Sequence, residues 1–175
     1  TQSLTVNVNL ANTANLTTND GAGAGPTLTG TITLNGIANF NLEKNSTFSG
    51  QLTGTGGFNK VTGTGILTLN NNTNNYAGST IISAGTLVAT VPNALGTTAG
   101  GTQVNNGGTL LLDATGGPLT FAEQLQLTGF GVGNGGALQS TGNNVLYNGS
   151  LNLQGSTMIS SNSAGSTLTL NGNIS

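Results

Sequence analysis

The chain has 175 residues, of which two are Lys or Arg, four are Asp or Glu, and none is His or Cys. Charged residues make up 3% of the sequence, against about a quarter in an ordinary domain. Acid–base catalysis, thiolate chemistry and phosphate binding therefore have few groups to draw on, and Lys44 and Lys60 fall far short of the basic stripe that nucleic acids require.

The remaining composition argues for folding. Disordered chains combine high net charge with abundant Pro, whereas net charge here is −2 and Pro numbers 3. The 34% hydrophobic residues fall in alternating runs, which predicts a β protein with a thin core. No window approaches the run of about 18 apolar residues that a membrane span needs, so direct membrane insertion is not expected. Thr1-Gln2-Ser3-Leu4 lacks the basic and apolar regions of a signal peptide, which reads as a removed leader or a segment of a longer chain.

Taken in chain order, apolar residues recur every second position: Leu4, Val6, Val8 and Leu10; Ile32 and Leu34; Leu67 and Leu69; Leu110 and Leu112; Leu125 and Leu127; Leu151 and Leu153; Leu168 and Leu170. Period two buries one face of a strand and exposes the other, and the intervening Thr residues suit strands. Pro92-Asn93-Ala94-Leu95, ended by Gly96, predicts one helical turn at most. Turns are expected at Asp20-Gly21 and at the Asn-Gly pairs 35–36, 106–107, 134–135, 148–149 and 171–172.

A unit of Gly-x-Leu or Gly-x-Ile begins at Gly30, Gly50, Gly65, Gly85, Gly108, Gly136, Gly149 and Gly172. Its spacing runs from 13 residues (Gly136 to Gly149) to 28 (Gly108 to Gly136), centred near the period of solenoid repeats. An antiparallel meander would also use such turns. Similar corners at rung-like spacing, and asparagine runs such as Asn70-Asn71-Asn72 suited to stacked ladders, favour the parallel arrangement. The expected fold is a single all-β domain over 1–175, a parallel β-helix (β-solenoid) with irregular rungs. Seven or eight rungs at about 4.8 Å each give a height of roughly 35 Å. The last seven residues, Thr169 to Ser175, echo Thr47 to Thr53 in character, so the array is expected to continue further or to stack on another molecule.

One stretch is more specific. Gly54-Thr55-Gly56-Gly57-Phe58-Asn59-Lys60 leads into Gly63-Thr64-Gly65-Ile66-Leu67-Thr68-Leu69, then Asn74-Asn75-Tyr76-Ala77-Gly78-Ser79-Thr80-Ile81-Ile82, then Ala84-Gly85-Thr86-Leu87-Val88. This resembles the autotransporter-associated β-strand repeat, also called the passenger-associated transport repeat, of type V secreted bacterial proteins. The close resemblance covers 54–112, with weaker flanks at 1–53 and 113–175. It departs from the family pattern by one extra residue between Lys60 and Gly63, an Asn-rich lengthening at 70–75, and Ser79 where Gly is frequent. The resemblance implies a right-handed parallel β-helix, export across the outer membrane to the bacterial cell surface, and a non-enzymatic stalk, adhesive or self-associating role.

The chemistry-bearing residues read as structural. Asp113 and Glu123 could form the carboxylate pair of a polysaccharide-cleaving β-helix, but both are expected to be solvated. Glu43 and Lys44 are expected at a rung edge, and Lys60 covering an edge or corner. Gly131-Val132-Gly133-Asn134-Gly135-Gly136 fits G-x-G-x-x-G, yet no helix or later acid follows, so a glycine-rich corner is expected instead of a dinucleotide site. Thr-x-Thr pairs at 27–33, 53–55, 62–64 and 167–169 are too irregular for an ice-binding face. Phe40, Phe48, Phe58, Phe121, Phe130, Tyr76 and Tyr147 are mostly expected in the core. No catalytic, cofactor-binding or metal-ligating residue is assigned, and no cofactor. Expected partners are further copies of the chain, end to end or side by side, and glycans or proteins of host or other surfaces; nucleic acid is not among them.

Overall fold

The computed structural model describes Ser3–Thr5, Val8–Leu10 and Ala14–Thr18 as backbone strands, then Gly25 and residues 27–175. Val6 and the Asp20-Gly21 turn lie outside the described residues. The chain winds as a parallel β-solenoid. The first coil is β1 (Ser3–Thr5), β2 (Val8–Leu10) and β3 (Ala14–Thr18). The second is β4 (Thr27–Thr29), β5 (Thr31–Leu34) and β6 (Ala38–Leu42), and the third β7 (Ser46–Phe48), β8 (Gln51–Thr53) and β9 (Phe58–Thr62). Two coils with only two strands follow: β10 (Ile66–Leu69) with β11 (Thr80–Ile82), and β12 (Gly85–Ala89) with β13 (Thr102–Val104). Three strands return in β14 (Gly108–Ala114), β15 (Leu119–Phe121) and β16 (Leu125–Gly129), and in β17 (Leu138–Gly142), β18 (Val145–Tyr147) and β19 (Leu151–Thr157). β20 (Ile159–Ser161) and β21 (Leu168–Leu170) complete the described strands.

Each side of the coil becomes a sheet running along the axis. One side is an eight-stranded sheet in the order β1-β4-β7-β10-β12-β14-β17-β20, and another a seven-stranded sheet, β3-β6-β9-β11-β13-β16-β19. The third side is split into β2-β5-β8 and β15-β18-β21. The pairings between coils are parallel, as in Leu67↔Leu87, Leu87↔Leu110 and Leu110↔Leu138. Inward positions build the core: Phe48, Leu69, Ala89 and Leu112 on one side face Phe40, Ile82, Val104 and Leu127 on the other, and all are buried. Phe40, Phe58 and Tyr76 step up the interior edge to face, with centroids 5.3 Å and then 6.1 Å apart, a geometry aromatic rings prefer.

The Gly-x-Leu series turns out to lie on three different corners. Gly30 and Gly50 precede the third side, Gly65, Gly85, Gly108 and Gly136 lead into the eight-stranded sheet, and Gly149 and Gly172 precede the seven-stranded one. Counted within one corner the spacing is a coil length, such as the 20 residues between Thr27 and Thr47 or the 28 between Leu110 and Leu138. The short 13-residue step was a change of corner.

Where the third side lacks a strand, side chains replace it. Asn74 is buried; its Oδ1 accepts from Leu52 N at 2.9 Å and its Nδ2 donates to Ala94 O at 3.1 Å, spanning three coils. Asn93 N donates to Asn72 Oδ1 and its Nδ2 to Asn72 O, which is the expected asparagine stacking. Pro92–Leu95 forms turns, closed by Gly96 at φ 84°. The extra residue before Gly63 is a β-bulge: Phe40 pairs with Lys60 but Asn41 with Thr62, leaving Val61 over.

The corner glycines follow from coil spacing. A Cβ on Gly56 would lie 2.0 Å from Gly36 O, although Gly56 itself needs no left-handed φ, and Gly116 has nothing within 4 Å of its Cβ position. Gly56→Ala is therefore expected to lower unfolding free energy by at least about 2 kcal/mol, and Gly116→Ala to stay within about 0.5 kcal/mol, both by denaturant titration.

Candidate functional site

The repeat-like stretch 54–112 has a polar interior. Lys60 lies on β9 two residues after Phe58, so the strand alternation turns it inward, and it is 0% exposed. Its Nζ donates to Ala84 O at 3.0 Å and reaches Gly63 O at 3.4 Å. A Cβ on Gly85 would sit 2.5 Å from that Nζ, so the Ala84-Gly85 pair supplies both the acceptor and the space. Burial pulls the Lys60 ammonium down to about 8, while Glu43 opposes the fall. Lys60 thus does not cover an edge; it ties three stretches of backbone together from within. Glu43 is exposed and Lys44 half-buried.

Glu123 corrects the expectation of a solvated carboxylate. It is 5% exposed, and its Oε1 accepts from Thr102 Oγ1 at 3.1 Å. Burial pushes its carboxyl up to about 8, with the Thr102 bond acting the other way. Thr102 is the register partner of Thr80, whose hydroxyl lies 2.5 Å from Tyr76 Oη. Burial raises both Tyr76 and Tyr147 further, and the Glu123 charge adds to it. Tyr147 Oη is buried and without a hydrogen-bond partner among the described residues, and its ring stacks on Phe121 at 6.0 Å. Tyr76, Thr80, Thr102, Glu123 and Tyr147 therefore form a polar seam inside an apolar core.

Asp113 is elsewhere. It occupies an outward position on β14, in the eight-stranded sheet, and its Oδ1 accepts from Thr115 N at 3.0 Å. The structure does not bring Asp113 and Glu123 together, so the pair needed for glycoside cleavage is not formed. The Gly131–Gly136 stretch is a corner carrying a 3-10 turn at Val132–Asn134, with Asn134 at φ 58°. Phe130 departs from the core expectation at 48% exposed, while the other six aromatics are buried.

Outside, the seven-stranded sheet carries a row of register partners: Asn39, Asn59, Ile81, Gln103, Gln126 and Asn152. On the eight-stranded sheet, Thr27, Thr47 and Thr68 stack and then give way to Val88 and Leu111, so the threonine column is short.

Against known proteins, residues 61–89 match the family model passenger-associated-transport-repeat. The chain thus carries an autotransporter passenger repeat, a structural repeat and not an enzyme family, and the match falls within the 54–112 stretch singled out from sequence. It spans the bulge, Asn74, Tyr76 and Gly85. No curated protein and no solved structure matches the chain.

Two consequences follow for stability. Asn74→Leu strips a buried donor and acceptor of their partners and is expected to cost about 2–4 kcal/mol by chemical denaturation. Glu123, whose folded pKa of about 8 lies above its ordinary 4.5, holds its proton more tightly when folded. Its contribution is complete below pH 4.5 and is lost as pH rises through 8, on the order of 5 kcal/mol at most. Lys60 has the opposite sign: its folded value of about 8 lies below 10.5, so stability recovers between those values. Unfolding free energy is expected to fall from pH 4.5 to a minimum near 8. Glu123→Gln should flatten that fall, and Lys60→Met should remove the recovery.

Proposed function

We propose that this chain is a segment of an exported bacterial surface passenger, serving as a stalk whose outer faces adhere to other surfaces or to further copies of itself. The observation that carries this reading is that the passenger repeat at 61–89 is one section of a continuous solenoid of about seven turns, not an isolated domain. A solenoid places its faces in regular order along an axis, each coil contacting only its neighbours. That suits distance and display. Near-neutral charge leaves little repulsion between copies, and a chain without Cys needs no oxidative step to fold after export.

A second reading, a filament subunit stacking coil on coil, is favoured by the pairing itself: the described coils dock on one another by parallel strand ladders along the sides of the solenoid, and an open ladder templates strand addition.

Cells displaying the segment through a heterologous translocator barrel are expected to sediment as clumps or to adhere to epithelial or abiotic surfaces. Dispersal equal to that of cells displaying the barrel alone would remove the adhesive reading. Sedimentation velocity on the purified chain separates the second reading. Concentration-dependent polymers support it, and a single monomeric boundary ends it.

A further inference from the structure

We propose that a notched furrow along the corner before the seven-stranded sheet binds an extended, neutral β-1,4-linked glycan lying parallel to the solenoid axis. The corner is defined by successive hydrogen bonds from Ala38 N to Gly57 O, Phe58 N to Ser79 O, Thr80 N to Gly101 O and Thr102 N to Gln124 O. Over five coils the corner residue therefore alternates between one with a side chain and one without, Ile37, Gly57, Ser79, Gly101 and Gln124; the next, set by Leu125 N to Ser150 O, is Ser150. Ile37, Ser79 and Gln124 are exposed.

The two notches are set by the backbone. A Cβ on Gly57 would lie 2.3 Å from Ser79 O, and Gly101 has φ +71°, so neither position readily takes a larger residue. Each notch opens a depression beside the outward row of the sheet. The one at Gly57 measures about 350 Å³ and the one at Gly101 about 220 Å³; they are neighbours, with Ser79 and Ile81 lining both. The second is walled by the amides of Gln103, Gln124 and Gln126. Those of Gln124 and Gln126 make no hydrogen bond among the described residues, and no charged side chain lines either depression.

This chemistry selects the occupant. Free amides on an uncharged wall, donating and accepting equally, match alternating hydroxyls and ring oxygens and offer no positive charge to balance a phosphate or carboxylate. Spacing selects further. The two notches lie two coils apart, roughly 9.6 Å from two strand spacings, which is close to the disaccharide repeat of an extended β-1,4-linked chain. An extended peptide repeats a face every ~6.8 Å and falls out of step after one notch. Each contact is weak, so affinity accumulates with the number of coils engaged.

The inference rests on the adhesive reading and names its ligand class. The test titrates purified protein with cellohexaose, chitohexaose and maltohexaose by calorimetry or saturation-transfer NMR. Binding of a β-1,4-linked hexaose with maltohexaose silent is expected. The triple variant Gln103→Ala/Gln124→Ala/Gln126→Ala should bind at least about tenfold more weakly, with Thr120→Ala, on another side, unchanged. Should the triple variant lose its β-sheet circular dichroism, Gln124→Ala alone carries the test, with a severalfold loss expected. Silence toward both β-1,4 sugars, equal binding of maltohexaose, undiminished binding by the variant, or preference for an extended Ser/Gln peptide would overturn the proposal. Because no cells are involved, such failure leaves the clumping result to stand or fall by itself.

Discussion

Coils packed one strand spacing apart, about 4.8 Å, constrain everything else in this molecule. Along the sheets that distance is comfortable, because side chains point in or out and only hydrogen bonds run between coils. At a corner the backbone turns and a Cβ can point along the axis, straight at the coil beneath. Gly50 over Gly30, Gly56 over Gly36, Gly78 over Gly56, Gly100 over Gly78 and Gly172 over Gly149 all meet a backbone atom of their neighbour well inside van der Waals contact if a methyl is added. The 30 glycines are thus largely a geometric requirement. They weaken the chain through lost backbone entropy, which the ladders between coils must offset.

The same constraint explains why polar residues enter the core. Wherever the ladder on one side fails, carbonyls and amides are stranded in an apolar interior, and unpaired buried groups cost more than paired ones gain. Asn74 imitates a strand across the gap between β8 and β15, offering one acceptor and one donor as a peptide group would. Lys60 performs a related task at the bulge, collecting the carbonyls of Gly63 and Ala84, at the expense of much of its preference for being charged. The seam from Tyr76 to Glu123 is less complete, since Tyr147 Oη has no hydrogen-bond partner among the described residues.

Much of this is legible in the amino-acid sequence, and the exceptions are instructive. Alternation and corner composition pointed to stacked parallel coils because both depend on local sterics. The single glycine series misled, since one residue type serves three corners for the same reason and spacing alone cannot separate them. Charge alone argues for Glu123 in solvent. Yet Leu119, Phe121, Glu123, Leu125 and Leu127 alternate without a break, and all five are buried; strict period-two reading carries the carboxyl inward. Phe58 and Lys60 give the same parity signal. What no local pattern supplies is the partner that makes burial tolerable: Thr102 comes from the coil before Glu123, and Ala84 lies 24 residues from Lys60.

Interior and exterior therefore answer to different demands. Inside, each residue is judged against the coils above and below: Lys60 fills the space over Gly85, Asn74 bridges Leu52 and Ala94, and Tyr76 meets Phe58 and Thr80, so replacing any of them disturbs a neighbour. Outside, side chains meet their neighbours only across a strand spacing and can change without breaking a ladder. Ser79 illustrates the difference: it occupies a family position where glycine is frequent, yet it projects into solvent and bonds Gly100 O at 2.9 Å. That substitution turns a smooth corner into one with a ridge between Gly57 and Gly101. A solenoid acquires specificity this way, by varying what the stacking rule leaves free.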